Sequence, residues 1–181
     1  MSFPASSTPD VFELNLNTWP GPLWVGVVFG RWGLRRVILE ASRCAVVDRL
    51  SAFESCEGAT ETEGGELLER FGAYCARRAD AFEGVAVDLS GVTGFRRDVL
   101  SCVREIAFGH TRSYGEVAEA IGRPKAVRAV GGALAANPAI LVIPCHRVVC
   151  SDGGPGGFSA VGGVGLKQAL LAHERVARGQ C

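Results

Sequence analysis

Lysine is almost missing from this chain: Lys125 and Lys167 are the only two in 181 residues, so its positive charge is carried by arginine. Cysteine is present at 44, 56, 75, 102, 145, 150 and 181, but the number is odd and no CxxC pair occurs. That argues against the disulfide framework of a small secreted domain. Histidine is limited to 110, 146 and 173, and Cys145-His146 is the only close Cys/His pair. Adjacent residues seldom ligate one ion together, so no metal and no cofactor is expected. The opening Met-Ser-Phe-Pro-Ala-Ser-Ser lacks the basic start and apolar core of a signal peptide, and no apolar run approaches membrane-spanning length. The expectation is a soluble monomer in a reducing, cytoplasmic compartment, with no membrane partner.

What is present is a globular composition: 48% apolar residues and ordinary charge content, enough to bury a core. A net charge of zero conceals an asymmetry. Residues 1–90 carry 8 Arg/Lys against 13 Asp/Glu, whereas residues 91–181 carry 11 against 6. The second half could attract a polyanion, or its arginines could simply be solvated.

The pattern along the chain divides near residue 90. Val11 to Leu16 alternates, Leu23 to Phe29 is mostly apolar, and Gly30-Arg31-Trp32-Gly33 makes a turn before Leu34 to Leu39, which together predict a small antiparallel meander. Helical periods follow over Ala45 to Phe53 and Glu66 to Arg78, with an exposed acidic loop from Glu54 to Gly65 between them, and residues 83–90 read as a further strand. Nothing in this half clusters catalytic residue types. Residues 1–90 are therefore expected to form a scaffold domain and 91–181 a second one, opening with a helix over Phe95 to Phe108.

Residues 110–137 carry a sharper signal. Ser113 and Glu116 have the spacing of a capping box, so a helix should start at Tyr114 with Val117, Ala118 and Ile121 inward. Gly122-Arg123-Pro124 ends it and starts a second helix over Lys125 to Ala136, with proline in its first turn and Asn137-Pro138 closing it. Two short helices with a tight turn form a helix-turn-helix candidate. On the second helix Val127, Val130 and Leu134 make an apolar stripe, while Ala129, Gly131, Gly132 and Ala133 leave the surface almost bare. Each interior glycine costs about 1 kcal/mol relative to alanine, so something should approach that backbone closely. Another helix would do so; so would a nucleic-acid backbone, with Arg123, Lys125 and Arg128 meeting phosphates.

The apolar run Ile140 to Ile143 is stopped by Pro144, and Cys145 emerges at its edge. A free thiol is only about 3% ionised at neutral pH, so a catalytic cysteine needs a base or positive neighbours. His146 and Arg147 are the candidates, and Glu174, on a helical segment from Gly165 to Arg178, is a carboxylate able to orient the imidazole. Adjacent side chains point apart in regular structure, so either the chain turns sharply or a water carries the proton. A buried structural thiol is the competing reading. Glycines at 153, 154, 156 and 157, followed by Phe158-Ser159, make a loop able to fold over a substrate.

Ile143-Pro144-Cys145-His146-Arg147-Val148-Val149 resembles the active-site signature of the O6-alkylguanine-DNA alkyltransferases, or methylated-DNA–protein-cysteine methyltransferases. The likeness continues through Thr111 to Ala118, Arg128 to Ala133, Asn137-Pro138 and Leu170 to Glu174, covering about residues 94–176 in order. The resemblance implies an α/β (α+β) fold, with a ribonuclease-H-like N-terminal domain of small sheet and helices and a mainly helical C-terminal domain. It also implies stoichiometric, irreversible transfer of an alkyl group from O6-alkylguanine in double-stranded DNA to Cys145, with O4-alkylthymine as a further candidate substrate. In that reading His146 is a base acting through water, Glu174 orients it, and Tyr114 donates a hydrogen bond to the departing base. Ser159 assists at O6, the carbonyls of Cys145 and Val148 read the exocyclic amine, Phe158 packs on the base, and Asn137 braces the turn behind the cysteine. Arg128 replaces the flipped nucleotide, while Ser113, Arg123, Lys125, Ala129, Gly131 and Gly132 lie against DNA.

Two departures stand out. Phe158 takes the place of a tyrosine found in many members, and the Ala160 to Gly165 connection is about two residues longer than usual. A non-catalytic helix-turn-helix protein that binds damaged DNA, and a cysteine hydrolase, are the competing functions.

Overall fold

The computed structural model describes residues 11–53 and 61–178. Cys56, Cys181 and the first part of the expected acidic loop lie outside them.

Three strands open the fold: β1 (Val11–Leu14), β2 (Leu23–Gly30) and β3 (Gly33–Glu40), in the order β1-β2-β3 and antiparallel throughout. This is the predicted meander. The near-continuous apolar run of β2 is explained by burial on both faces. On one, α1 (Arg43–Leu50) presses so close to Gly26 that a Cβ there would stand 2.4 Å from Val46. Val28, Ile38, Val46 and Leu50 form the small core on that side. On the other face the main core begins, running through Leu67, Phe71 and Tyr74 of α2 (Glu61–Cys75) to Val99, Leu100 and Val103 of α3 (Gly94–Arg104) and on into the C-terminal half.

Two expectations change here. The helix predicted from Glu66 begins at Glu61 and ends at Cys75, so part of the supposed loop is helical. Residues 83–90 form no strand; turns on either side leave room for one parallel bridge, Leu34 to Val87, with Leu34 N donating to Ala86 O and Asp88 N to Leu34 O. Gly33 is required at that contact, since a Cβ would lie 2.6 Å from the Ala86 carbonyl oxygen.

The exposed edge of β3 is joined to the second half. Val37 N donates to Pro138 O at 2.8 Å, and Val37 bridges Ala139 in parallel. The N-terminal sheet thus grips the segment that leads into the cysteine turn.

Further along, β4 (Arg112–Ser113) leads directly into α4 (Tyr114–Ala120), and α5 (Val127–Ala135) follows. The capping box is present: Glu116 N donates to Ser113 Oγ at 3.1 Å and Ser113 N to Glu116 Oε2 at 2.6 Å. Gly122, at φ +70°, ends α4 with Gly122 N on Glu119 O and Arg123 N on Ala118 O, the paired bonds of a left-handed C-terminal cap. Pro124 therefore lies in the connecting turn, not in the first turn of α5, which starts two residues later than predicted. Val130, Ala133 and Leu134 face the core, but Val127 is 39% exposed and so leaves the predicted stripe. The last helix, α6, spans Gly163–Arg178. Among the described residues no helix is long and apolar enough to cross a membrane.

Phe71 is fully buried and packs against Phe12 and Phe82 with ring centroids 5.1 and 5.0 Å away. Phe71→Ala is expected to cost about 3–5 kcal/mol of stability, measured by chemical denaturation.

Candidate active site

Cys145 opens a single 3-10 turn, Cys145–Arg147, followed at once by β5 (Val148–Val149). The sharp change of direction comes one residue earlier. Pro144 has φ −81° and ψ 63°, and Cys145 N donates to Ile143 O at 2.8 Å, which is an inverse γ-turn. Asn137 fixes that turn: its Nδ2 donates to the same Ile143 carbonyl at 2.8 Å, and its Oδ1 accepts from Ala139 N at 3.0 Å. Leu141 to Ile143 is thus buried and Ile140 partly so, but the run forms no regular strand, and Leu141 takes a positive φ of 74°.

β5 pairs in parallel with β4, Arg112 with Val148 and Ser113 with Val149. Since Tyr114 follows β4 and Cys145 precedes β5, that short ladder brings both side chains to one cleft. Its volume is about 550 Å³, ample for a nucleobase. Cys145 and Tyr114 lie within it, Arg128, Gly131 and Val127 of α5 form one wall, and Gly156 to Ser159 form the other. Ser159 Oγ donates to Ala135 O at 3.0 Å, bridging the two walls.

Gly156 illustrates how tight the assembly is. At φ +67° it takes a backbone conformation that L side chains rarely adopt, and a Cβ would stand 2.8 Å from the Tyr114 hydroxyl and 3.3 Å from Cys150 Sγ.

Behind the cysteine lies a charged cluster. His146 is fully buried, and its Nε2 donates to Glu174 Oε1 at 2.7 Å; Nδ1 is buried without a hydrogen-bond partner in the protein. The carboxylate fixes the Nε2–H tautomer, which leaves the Nδ1 lone pair as the basic site. Burial pulls His146 below the ordinary histidine value, against the opposing field of Glu174, so the ring is a neutral acceptor near pH 7. The Cys145 thiol meets the backbone of His146 but makes no hydrogen bond to its imidazole. The adjacent pair is not in direct proton contact.

Burial likewise pushes the Cys145 thiol up, opposed by hydrogen bonding with Asn137 and by the charge of Lys167. Arg147, expected as a positive neighbour of the thiol, turns away from it. Its Nε and Nη2 reach Glu174 at 2.9 and 3.0 Å, and Nη1 donates to Ile106 O at 2.6 Å. For Glu174, burial raises the carboxyl, but the hydrogen bonds from His146 and Arg147 and the charge of Arg147 outweigh it and hold the group well below the usual carboxylate range.

Sequence reasoning missed Lys167. Its ammonium is buried, donates to Val148 O at 2.6 Å and Gly157 O at 3.3 Å, and lies 5.6 Å from the centre of the Tyr114 ring. The available signal was a lysine among Leu166, Leu170 and Leu171 on the inward face of α6. Of the other predicted residues, Phe158 and Ser159 line the cleft, whereas the buried Asn137 and Val148 are not part of its lining. Arg123, Lys125, Arg128, Ala129 and Gly132 are exposed along the α4–α5 face, and Ser113 is half-buried at the cap.

With this geometry in view, the comparisons are specific. The family model described as "6-O-methylguanine DNA methyltransferase, DNA binding domain" matches residues 94–176. A methylated-DNA–protein-cysteine methyltransferase of Mycolicibacterium paratuberculosis is 46% identical over 108 residues, a stretch covering 60% of this chain and 63% of that one. One of Salmonella typhimurium is 35% identical over 167 residues, covering 91% of this chain and 95% of the relative. The chain belongs to the methylated-DNA–protein-cysteine methyltransferase family. Among solved structures, Mycobacterium tuberculosis OGT in complex with DNA matches with a TM-score of 0.63 and 31% identity, over 86% of this chain and 88% of that one. The small antiparallel sheet with its helices is thus the fold of this methyltransferase family.

Two outcomes test the site. Gly156→Ala is expected to displace the Tyr114 ring and slow methyl transfer at least tenfold, read from single-turnover kinetics, while DNA affinity stays within a factor of two. Because His146 and Glu174 both bind protons less readily in the folded than in the unfolded chain, stability is complete above about pH 6.5 and falls as the pH drops below it. Glu174→Gln should cost about 3–5 kcal/mol at neutral pH and flatten the acid side of a melting-temperature profile.

Proposed function

We propose that this protein repairs O6-alkylguanine in double-stranded DNA by transferring the alkyl group to Cys145, once per molecule. Methyl transfer from DNA to a protein cysteine is the activity of the family. The observation that carries the assignment to Cys145 is its position: a buried thiol in a base-sized cleft, next to a histidine whose Nε2 is tied to a carboxylate and whose Nδ1 is left to accept a proton.

The chemistry follows from that arrangement. The thiol proton passes through a water to His146 Nδ1, and the sulfur attacks the alkyl carbon in line with the departing oxygen. The S–C bond forms as the C–O6 bond breaks, the electron pair goes to the purine, and guanine recovers a proton. A thioether is stable, so the sulfur is not regenerated. Tyr114 is suited to steady the departing base as a donor, since burial, and then the neighbouring thiols, push its phenol above the ordinary value and keep it protonated. Ser159 and the carbonyls of Cys145 and Val148 act as polar contacts to the base, and Phe158 as its apolar one. The Val148 carbonyl already accepts from Lys167, so its second lone pair would serve.

A base inside a duplex is out of reach of a buried thiol, so the nucleotide must leave the stack. Arg128 projects from α5 at the rim of the cleft, where it can take the vacated place. Gly132 supports DNA approach along this helix, because beyond its chain neighbours and its own helix backbone no atom lies within 4 Å of where its Cβ would be. An interior helical glycine costing about 1 kcal/mol and answering to no neighbour of its own chain is accounted for by an external backbone. Arg123 and Lys125 flank it for phosphate contact. In this reading residues 1–90 are the scaffold and residues 91–181 the alkyltransferase domain.

Incubation with excess duplex containing one O6-methylguanine should add a single methyl mass per chain, mapped to Cys145, and then stop. Continued turnover, or an unmodified Cys145 after long exposure, would overturn the assignment. Cys145→Ala should keep its affinity for the same duplex and lose all transfer.

A further inference from the structure

Tyr74 lies on α2, in the half of the chain where the sequence places no catalytic residue types. It is fully buried, and its hydroxyl donates to Glu174 Oε1 at 3.0 Å, the same oxygen that accepts from His146 Nε2. A tyrosine in a core needs only its ring; a buried hydroxyl must also find a partner, and this one meets the carboxylate that orients the proposed base. We infer that Tyr74 is a positioning residue for alkyl transfer, through which the N-terminal domain sets the orientation and proton affinity of the His146–Glu174 pair.

The side chain is held for this purpose from both ends. His173, adjacent to Glu174 on α6, packs its ring 5.3 Å from the tyrosine ring, and its Nε2 donates to the Tyr74 backbone carbonyl at 2.9 Å. Phe82 and Phe108 flank the ring at 5.5 and 5.9 Å. The successive residues His173 and Glu174 therefore clasp one tyrosine, by its main chain and by its hydroxyl. Burial, reinforced by the charge of Glu174, keeps the phenol protonated, so it is a donor at any working pH.

The effect on the base has a definite sign. Hydrogen bonds withdraw charge from Glu174 Oε1, and Tyr74 competes there with His146 Nε2 and Arg147 Nη2. Without the phenol, more carboxylate charge faces the imidazole and its cationic form is favoured. The other groups around the pair are Cys145 and Arg147 on the same turn, Lys167 and His173 on α6, and the Gly109 amide, which donates to Oε2 at 2.9 Å. None of these changes when the Tyr74 hydroxyl is removed.

The inference rests on Cys145 as acceptor and His146 as base, and the test separates the two. Single-turnover methyl transfer from O6-methylguanine duplex is followed against pH for the parent, for Tyr74→Phe, and for protein carrying 3-fluorotyrosine at position 74. Tyr74→Phe keeps the ring and should slow transfer about three- to tenfold at neutral pH, move the acid limb of the rate profile to higher pH, and leave DNA affinity unchanged. The fluorinated ring is a stronger donor of nearly the same shape, so its acid limb should move to lower pH, and it reports even if the phenylalanine variant folds poorly. Superimposable profiles for the parent and either folded variant, or shifts of the same sign in both variants, overturn the role of Tyr74. A parent that leaves Cys145 unmethylated overturns the underlying assignment instead.

Discussion

A carboxylate that is 1% exposed lies at the centre of this molecule, and the arrangement around it is dictated by what such a burial demands. Taking a carboxylate out of water costs several kcal/mol even after relaxation, and the cost is offset only where its lone pairs are filled by well-aligned donors. Glu174 receives Tyr74, His146 and Arg147 on Oε1, and Arg147 and Gly109 on Oε2. Those donors come from α2, from the loop before β4 and from the cysteine turn, so one charge on α6 ties together segments a hundred residues apart. A displacement of any of these segments strands a buried charge.

The same constraint orders the chemistry. Because the carboxylate takes the Nε2 hydrogen, the free lone pair of His146 is on Nδ1. Because Arg147 is engaged by Glu174, it is unavailable to the thiol, and the positive charge acting on Cys145 comes from Lys167 instead. Lys167 in turn needs the Val148 and Gly157 carbonyls, which tie β5 to the loop that walls the cleft. Asn137 secures the remaining side by holding the Ile143 carbonyl, while the Pro138 carbonyl beside it is bound to Val37 of the sheet. The N-terminal half therefore reaches the site through the Val37 amide and the Tyr74 hydroxyl.

What the sequence disclosed was whatever local pattern determines. The alternating strands, the capping box at Ser113 and Glu116, the turn at Gly122 and the stop at Pro144 each depend on residues within a few positions, and each is found within a residue or two of its expected place. The pairing of His146 with Glu174 was legible because both residues belong to one family pattern. Other features were not. The bridge that replaces a strand at 83–90 depends on turns whose tightness composition does not reveal. Arg147 is two positions from Cys145 in sequence, and only the 3-10 turn sends it the opposite way. Tyr74 reads as the third member of a Leu67-Phe71-Tyr74 core stripe, since helical periodicity identifies a buried ring but says nothing of where its hydroxyl ends.

Burial of the thiol is a disadvantage for an ordinary nucleophile, because it favours the unreactive protonated form. For an acceptor used once, the balance reverses. A sulfur that ionised freely at the surface would be spent on any oxidant or electrophile before it met damaged DNA. Cys145 is 6% exposed, its thiol is held above the ordinary value, and the proposed base, His146, makes no hydrogen bond to it through its ring. Under the proposed function, ionisation waits until the cleft is occupied and the proton path complete, which would tie reactivity to the presence of a flipped base. The dense packing around Glu174 makes such a device workable: with tautomer, turn and cleft wall all fixed beforehand, the reorganisation left for the encounter is small, and binding energy goes into extracting the nucleotide.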